Sequence, residues 1–284
     1  MKVALATCMK PPEHDVDEAP LVAALRAAGA DVRRLAWDDP TAAPAAGEIV
    51  VIRSTWNYFE DLRGFLAWVE RTAEAARLFN PAPIVAGNAQ KTYLRELERR
   101  GVDVVETEFV PASEPRSLRG LMRERGWTTV VIKPVVSAGS FSTRRIGAGQ
   151  EDEGQRFLDA LTSRRDAMVQ RWMPSVEGYG ERSLVWIDGE LTHAVRKSPR
   201  FSGATEAVSE VPIAPDERAF AEKVLAPIAD DLLYARVDVV RDEAGAPRLM
   251  ELELIEPSLF LVHSARALER LTGAIVRRAR GDLA

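Results

Sequence analysis

Arg248-Leu-Met-Glu-Leu-Glu-Leu-Ile-Glu-Pro-Ser258 alternates apolar and acidic residues before it breaks at a proline. In an extended strand, residues two apart share a face, so Glu251 and Glu253 project together about 7 Å apart while Leu252 and Leu254 turn to the core. Upstream, Tyr234-Ala-Arg-Val-Asp-Val-Val240 has a strand pattern, and Asp242-Glu-Ala-Gly-Ala-Pro247 between the two reads as the turn of a hairpin. Pairing across that turn sets Asp238 beside Glu251. Three carboxylates on one patch are an oxygen-ligand set suited to a hard ion such as Mg2+. The same alternation describes any half-solvated antiparallel strand, so the hairpin alone leaves both readings open.

Composition narrows the class. The chain has 284 residues, 46% hydrophobic and 29% charged, which suits a soluble globular protein of two or three lobes. With 38 basic against 43 acidic residues the net charge is -5, and the arginines are scattered, which argues against a nucleic-acid or anionic-membrane partner. No apolar run is long enough for a signal peptide or a membrane span, so a cytoplasmic protein is expected. One cysteine, Cys8, excludes an intrachain disulfide, and three histidines without ligand spacing point away from zinc. Only six basic residues are lysines, among them Lys91, Lys133 and Lys197. Against such an arginine preference, a lysine marks a place that wants a compact, flexible charge.

From the N-terminus, residues 2–7, 31–36 and 48–53 read as strands and 18–28 as a helix, the start of a parallel α/β unit. The first strand runs into Cys8-Met-Lys-Pro-Pro12 with no Gly-x-Gly-x-x-Gly, so a dinucleotide fold is unsupported, and no Walker A pattern occurs. After the third strand, Arg53-Ser-Thr-Trp-Asn-Tyr58 stands where open α/β sheets place ligands. It is a substrate-loop candidate, with a helix cap and packed aromatics as the alternative. A helix over 62–77 ends at Asn80-Pro-Ala-Pro83, read as a chain break. Asn88 is then read as the cap of a helix over 89–100 with Lys91 in its first turn, where an anionic partner or plain solvation would account for the charge.

Thr128-Thr-Val-Val-Ile-Lys-Pro134 has the pattern of a buried strand, and a lysine at its end needs an anion. The residues that follow, Val135-Val-Ser-Ala-Gly-Ser-Phe-Ser-Thr143, could wrap a phosphate with amides and hydroxyls. Beyond a helix over 152–164 come strand Met168-Val-Gln-Arg-Trp-Met-Pro-Ser175, a flexible link over 176–181, and a hairpin turning at Asp188-Gly189. That hairpin ends in the basic cluster Arg196-Lys-Ser-Pro-Arg200. A helix over 216–231 precedes the acidic hairpin, and a helix over 259–280 closes the chain.

In this order the strings Val131-Ile-Lys-Pro134 with Ser137-Ala-Gly-Ser140, Val185-Trp-Ile-Asp-Gly-Glu190 with His193-Ala-Val-Arg-Lys197, and Ala235-Arg-Val-Asp238 with Met250-Glu-Leu-Glu-Leu254 resemble the ATP-grasp superfamily. The resemblance is to its glutathione-synthetase-like branch, near the cycloserine-forming ligases, and covers essentially the whole chain. It implies an α/β fold, α+β in the ATP-grasp lobes. A pre-ATP-grasp lobe (1–85) would precede a small ATP-binding lobe (86–170) and a C-terminal catalytic and metal-binding lobe (171–284), the last two sandwiching ATP. By position, Lys91 and Lys133 with the loop Ser137, Ala138, Gly139 and Ser140 would bind phosphates. Gln170, Arg171, Trp172 and Met173 would face adenine, and Glu181 the ribose. Arg196 and Lys197 would act on the transferring phosphoryl group, with Arg200 an alternative. Asp238, Glu251 and Glu253 would hold Mg2+, two ions by the resemblance, with Mn2+ an alternative. Arg53, Ser54, Trp56, Asn57, Tyr58 and Ser258 would meet the substrates. Many relatives carry asparagine where this chain has Glu253, and more glycine in the phosphate loop.

The implied activity is ATP-dependent carboxylate-amine ligation on a small amino-acid-like substrate. An acyl phosphate would form, and ADP and phosphate would be released. A small-molecule kinase and a regulatory nucleotide-binding module are the alternatives. Partners would be a small carboxylate and an amine, with no nucleic acid or membrane, and homo-oligomerisation stays open.

Overall fold

The computed structural model describes residues 1–139, 141–197 and 207–281. Ser140, Arg200 and the 201–206 stretch therefore lie outside the described residues.

Strands β1 (Lys2–Thr7), β2 (Asp31–Ala36), β3 (Ile49–Ser54) and β4 (Arg77–Phe79) form a parallel sheet in the order β2-β1-β3-β4. β1 beyond its first residue and all of β3 are buried, as the apolar runs of a covered parallel sheet must be. Helix α1 (Glu18–Ala27) joins β1 to β2. Helix α2 (Leu62–Ala75) is capped by Asp61, which accepts from the Gly64 amide at 2.9 Å, and it buries Phe65, Trp68, Val69 and Thr72 at helical spacing.

The prolines after β4 do not break the chain. Pro81 caps α3 (Ala82–Asn88) and Pro83 occupies its first turn, where a missing amide costs nothing and a fixed φ helps. Asn88 consequently ends a helix instead of opening one, and α4 (Tyr93–Arg99) begins after Lys91, which sits in the connection. Buried Asn80 fastens this junction. Its amide donates to the carbonyls of Tyr234 (2.9 Å) and Leu254 (2.7 Å), and its oxygen accepts from the Leu233 amide (2.8 Å).

A second, antiparallel sheet has the order β5-β8-β6-β7, from β5 (Thr107–Val110), β6 (Val130–Pro134), β7 (Arg144–Ile146) and β8 (Ala167–Arg171). Helices α5 (Leu118–Arg125) and α6 (Glu151–Thr162) cover one face, packing Leu118, Leu121 and Leu158 on Ile132 and Val169. The segment read as a flexible link contains one helical turn, α7 (Ser175–Gly178).

The third sheet, β11-β10-β9-β12-β13, is antiparallel and comprises β9 (Glu181–Ile187), β10 (Glu190–Lys197), β11 (Val208–Val211), β12 (Tyr234–Arg241) and β13 (Pro247–Glu253). The β9–β10 turn has Asp188 and Gly189 at φ 47° and 90°, the left-handed pair that a two-residue hairpin requires. Helix α8 (Pro215–Leu225) precedes β12, and α9 (Ala265–Arg280) packs against α1. Val3, Leu5 and Leu21 share a core with Ile187, Leu271 and Ile275, so the first and third sheets are joined by apolar packing. Among the described residues no helix is long and apolar enough to cross a membrane.

Candidate active site

The acidic hairpin is β12–β13, and its register sets Asp238 opposite Glu251 and Arg236 opposite Glu253. A bulge follows, because Val239 pairs with Leu249 and leaves Met250 extra. Strand alternation then collects Arg236, Asp238, Glu251 and Glu253 on the wall of a cavity of about 410 Å³. Neighbouring β9 and β10 add Glu181 and Lys197, which face each other in register.

These groups form a dense ion-pair network. The Arg236 guanidinium grips Asp238 with two hydrogen bonds (2.9 and 2.8 Å) and also binds Glu253. Lys197 Nζ lies 3.0 Å from Asp238 and contacts Glu181, while Ser183 Oγ donates to Asp238 at 2.6 Å. Burial would raise the Asp238 carboxyl, but Arg236, Lys197 and the Ser183 hydroxyl outweigh it and hold it well below the usual range. Glu253 has one arginine against several acids, and burial with those acids pushes it up to about 7.

Lys91 and Lys133 enter from the opposite side. The Lys91 amide donates to the Val135 carbonyl, and its Nζ reaches the Ser137 carbonyl (2.8 Å), the Ser137 hydroxyl (3.3 Å) and Glu251 (2.8 Å). Lys133, at the buried end of β6, lies 3.7 Å from the other Glu251 oxygen. Burial would raise Glu251, yet the two lysines hold it at about 2. One carboxylate thus stands between two lysines, of which the sequence reading called for an anion at Lys133 and left Lys91 open.

Ser137, Ala138, Gly139, Gln170, Arg171, Trp172 and Met173 line the same cavity, as do Trp56, Tyr58 and Ser258. Gln170 donates to Thr107 Oγ1 at 3.1 Å, and the Arg145 guanidinium lies 4.1 Å from the Trp172 ring centroid.

The structure does not bring every candidate here. Arg196 alternates with Lys197 along β10, so it faces the other way and donates to the carbonyls of Gly178 (2.9 Å) and Tyr179 (3.1 Å). Arg53 is 2% exposed and buried against Asp17 (3.9 Å) and the Tyr234 ring. Ser54 donates to Thr7 Oγ1, and Asn57 is engaged with Trp37 and Asp38. Four of the predicted residues thus stand outside the cavity lining, and Ser140 is outside the described residues.

Two groups on the cavity wall escaped the sequence reading. Arg236 is two residues from Asp238 on a strand, so its shared face was readable from period alone. Glu256 follows the end of β13, where strand periodicity stops, and burial with neighbouring Glu253 pushes its carboxyl up to about 8.

In donor type and number, Asp238, Glu251 and Glu253 fit a hard divalent cation. Their side chains are turned to lysine and arginine, and among the described residues no three acids or other ligand side chains converge as a metal cluster.

The chain is similar to known proteins along nearly its whole length. Residues 3–80 match the family model of the D-cycloserine synthetase DcsG N-terminal domain. The cycloserine biosynthesis protein DcsG of Streptomyces lavendulae is 30% identical over 283 residues, spanning 93% of this chain and 94% of that protein. The crystal structure of D-cycloserine synthetase DcsG superposes with a TM-score of 0.89 at 29% identity, covering 98% of this chain and all of that one. For D-alanyl-alanine synthetase A of Vibrio cholerae the TM-score is 0.73 at 14% identity, with 99% and 98% covered, a likeness of fold.

Proposed function

The chain belongs to the D-cycloserine synthetase family of ATP-grasp ligases, ATP-dependent enzymes that form carbon–nitrogen bonds, and we propose that it ligates a small amino-acid-like carboxylate through an acyl phosphate. The observation that carries this reading is the convergence of Lys91, Lys133, Lys197 and Arg236 on one cavity. Four cations around a cleft whose own carboxylates already occupy them are suited to a polyanion that takes the carboxylates' place.

In this reading Lys91 and Lys133 exchange Glu251 for nucleotide phosphates, aided by the amides and hydroxyl of the Ser137–Gly139 loop. Gln170, Arg171, Trp172 and Met173 border the base, and Glu181 the ribose. Asp238, Glu251 and Glu253 would hold Mg2+, which when bound supplies charge neutralisation for the triphosphate. Lys197 and Arg236 face the reacting groups, whereas Arg196 does not. The γ-phosphoryl group passes to a substrate carboxylate oxygen with ADP leaving. An amine then attacks the acyl carbon, and phosphate departs with the former carboxylate oxygen. No enzyme nucleophile is needed, because positioning, charge neutralisation and exclusion of water carry the reaction. The aromatic turn Trp56–Tyr58 and Ser258 border the substrate end. One relative is a D-cycloserine synthetase, which supports a small-molecule substrate.

The test is a screen of amino acids and small carboxylates for ADP release, with mass detection of products. The reading predicts ADP, phosphate and a product one water lighter than its precursors. A phosphorylated product that persists would indicate a kinase.

A further inference from the structure

We propose that Glu256 receives the protonated amine of the substrate, so that this ligase selects amino acids or their derivatives carrying a free ammonium group. The inference rests on the ligase reading and deepens it.

Charge pairing singles out this residue. Glu181 is paired with Lys197, Asp238 with Lys197 and Arg236, Glu251 with Lys91 and Lys133, and Glu253 with Arg236. Glu256 lines the same cavity, yet among the described residues its side chain has no ion pair and no hydrogen bond. The cations nearest in the network are committed elsewhere: Lys91 to Ser137 and Glu251, Arg236 to Asp238, Glu253 and the Ser258 carbonyl. A half-buried carboxyl without a partner is costly to ionise, and an incoming cation offsets that cost.

The surroundings select which cation. The backbone carrying Glu256 is fixed on both sides. Its own carbonyl accepts from the Trp56 indole at 2.9 Å, and the preceding carbonyl, of Ile255, accepts from the Tyr234 hydroxyl at 2.8 Å. Pro257 follows directly. Trp56, Tyr58 and Phe260 border the cavity with it. One carboxylate beside aromatic side chains suits an alkylammonium, which gains both a charge partner and ring faces. A divalent metal is served less well, because it requires several oxygens and Glu256 follows the end of β13, beyond the paired register that collects the other acids.

Wild type, E256Q and E256D are assayed for ADP release with Mg-ATP and a panel of D- and L-amino acids, each paired with the 2-hydroxy acid of the same side chain. The proposal expects the active compounds to be amines, with the hydroxy counterparts poorer by about 10-fold or more in kcat/KM. In E256Q the KM for the amino acid should rise by about 10-fold or more while the KM for ATP and the Mg2+ requirement stay within about 2-fold. The amine-to-hydroxyl preference should narrow towards one, and E256D should restore part of it. An undiminished preference in E256Q overturns the proposal, since Glu256 would then only shape the wall. A rise confined to ATP or Mg2+ also overturns it, assigning Glu256 to the nucleotide or the metal. Stabilisation by Mg-ATP without ADP release from any pair is a different result: it removes the amino-acid ligase reading, and the Glu256 assignment with it.

Discussion

Asp238 and Glu251 stand directly opposite each other on β12 and β13, yet each carboxylate is neutralised by its own pair of cations. Considered as two adjacent acids, they repel, and removing one should relieve the protein without ligand. The contacts reverse that sign for Asp238, which is 1% exposed and bound by Arg236, Lys197 and Ser183. Asp238→Asn leaves two buried cations facing a neutral amide and is predicted to lower unfolding free energy by about 3–5 kcal/mol. Urea melts without nucleotide measure this; unchanged or raised stability would mean that repulsion among the acids dominates.

The two lysines on Glu251 give a second prediction. Lys133→Ala removes a charge from a nearly closed site and should weaken ATP binding by about 2–4 kcal/mol in titration calorimetry. Lys2→Ala and Lys223→Ala change exposed residues and should stay within about 0.5 kcal/mol of wild type. Equal behaviour of all three would dissociate Lys133 from the nucleotide.

Neighbours on β10 should differ sharply. Lys197→Met removes a cation facing the cavity and should reduce turnover by about 100-fold or more. Arg196→Ala loses hydrogen bonds to the Gly178 and Tyr179 carbonyls, so its effect should be on stability, about 1–2 kcal/mol, with turnover largely kept. Comparable losses of turnover in both would show that the strand face does not separate their roles.

Much of this site was legible because it is written in strand periodicity. Alternation put Glu251 and Glu253 on one face, the turn at 242–247 set Asp238 against Glu251, and a lysine at the end of a β-branched strand called for an anion. Reading failed where tertiary contacts decide. Arg53 ends a strand where ligands often bind, but Asp17 and Tyr234, remote in sequence, enclose it. Pro81 and Pro83 read as a break because their place in a first helical turn depends on what α3 packs against. Glu256 has no periodic context, and its position depends on a bond to Trp56, 200 residues away.

Asp188 supplies a pH prediction away from the cavity. Burial would raise its carboxyl, but Arg278 and Arg277 outweigh that and lower it. A carboxyl depressed in the folded state contributes stability above its unfolded pKa, about 3.9, and loses it as pH falls through the folded value. Asp188→Asn, which tolerates the left-handed turn, should therefore be destabilised near neutrality and show a shallower loss of stability below about pH 4. Thermal melts from neutral to acid pH measure the two slopes; parallel slopes would remove Asp188 from the acid response.

The acyl phosphate is tested most directly by oxygen transfer. With the substrate carboxylate labelled in both oxygens with 18O, ATP-driven ligation should deliver one labelled oxygen to each phosphate released, alongside unlabelled ADP and a product bearing a new carbon–nitrogen bond. Unlabelled phosphate, or AMP and pyrophosphate in place of ADP and phosphate, would contradict it.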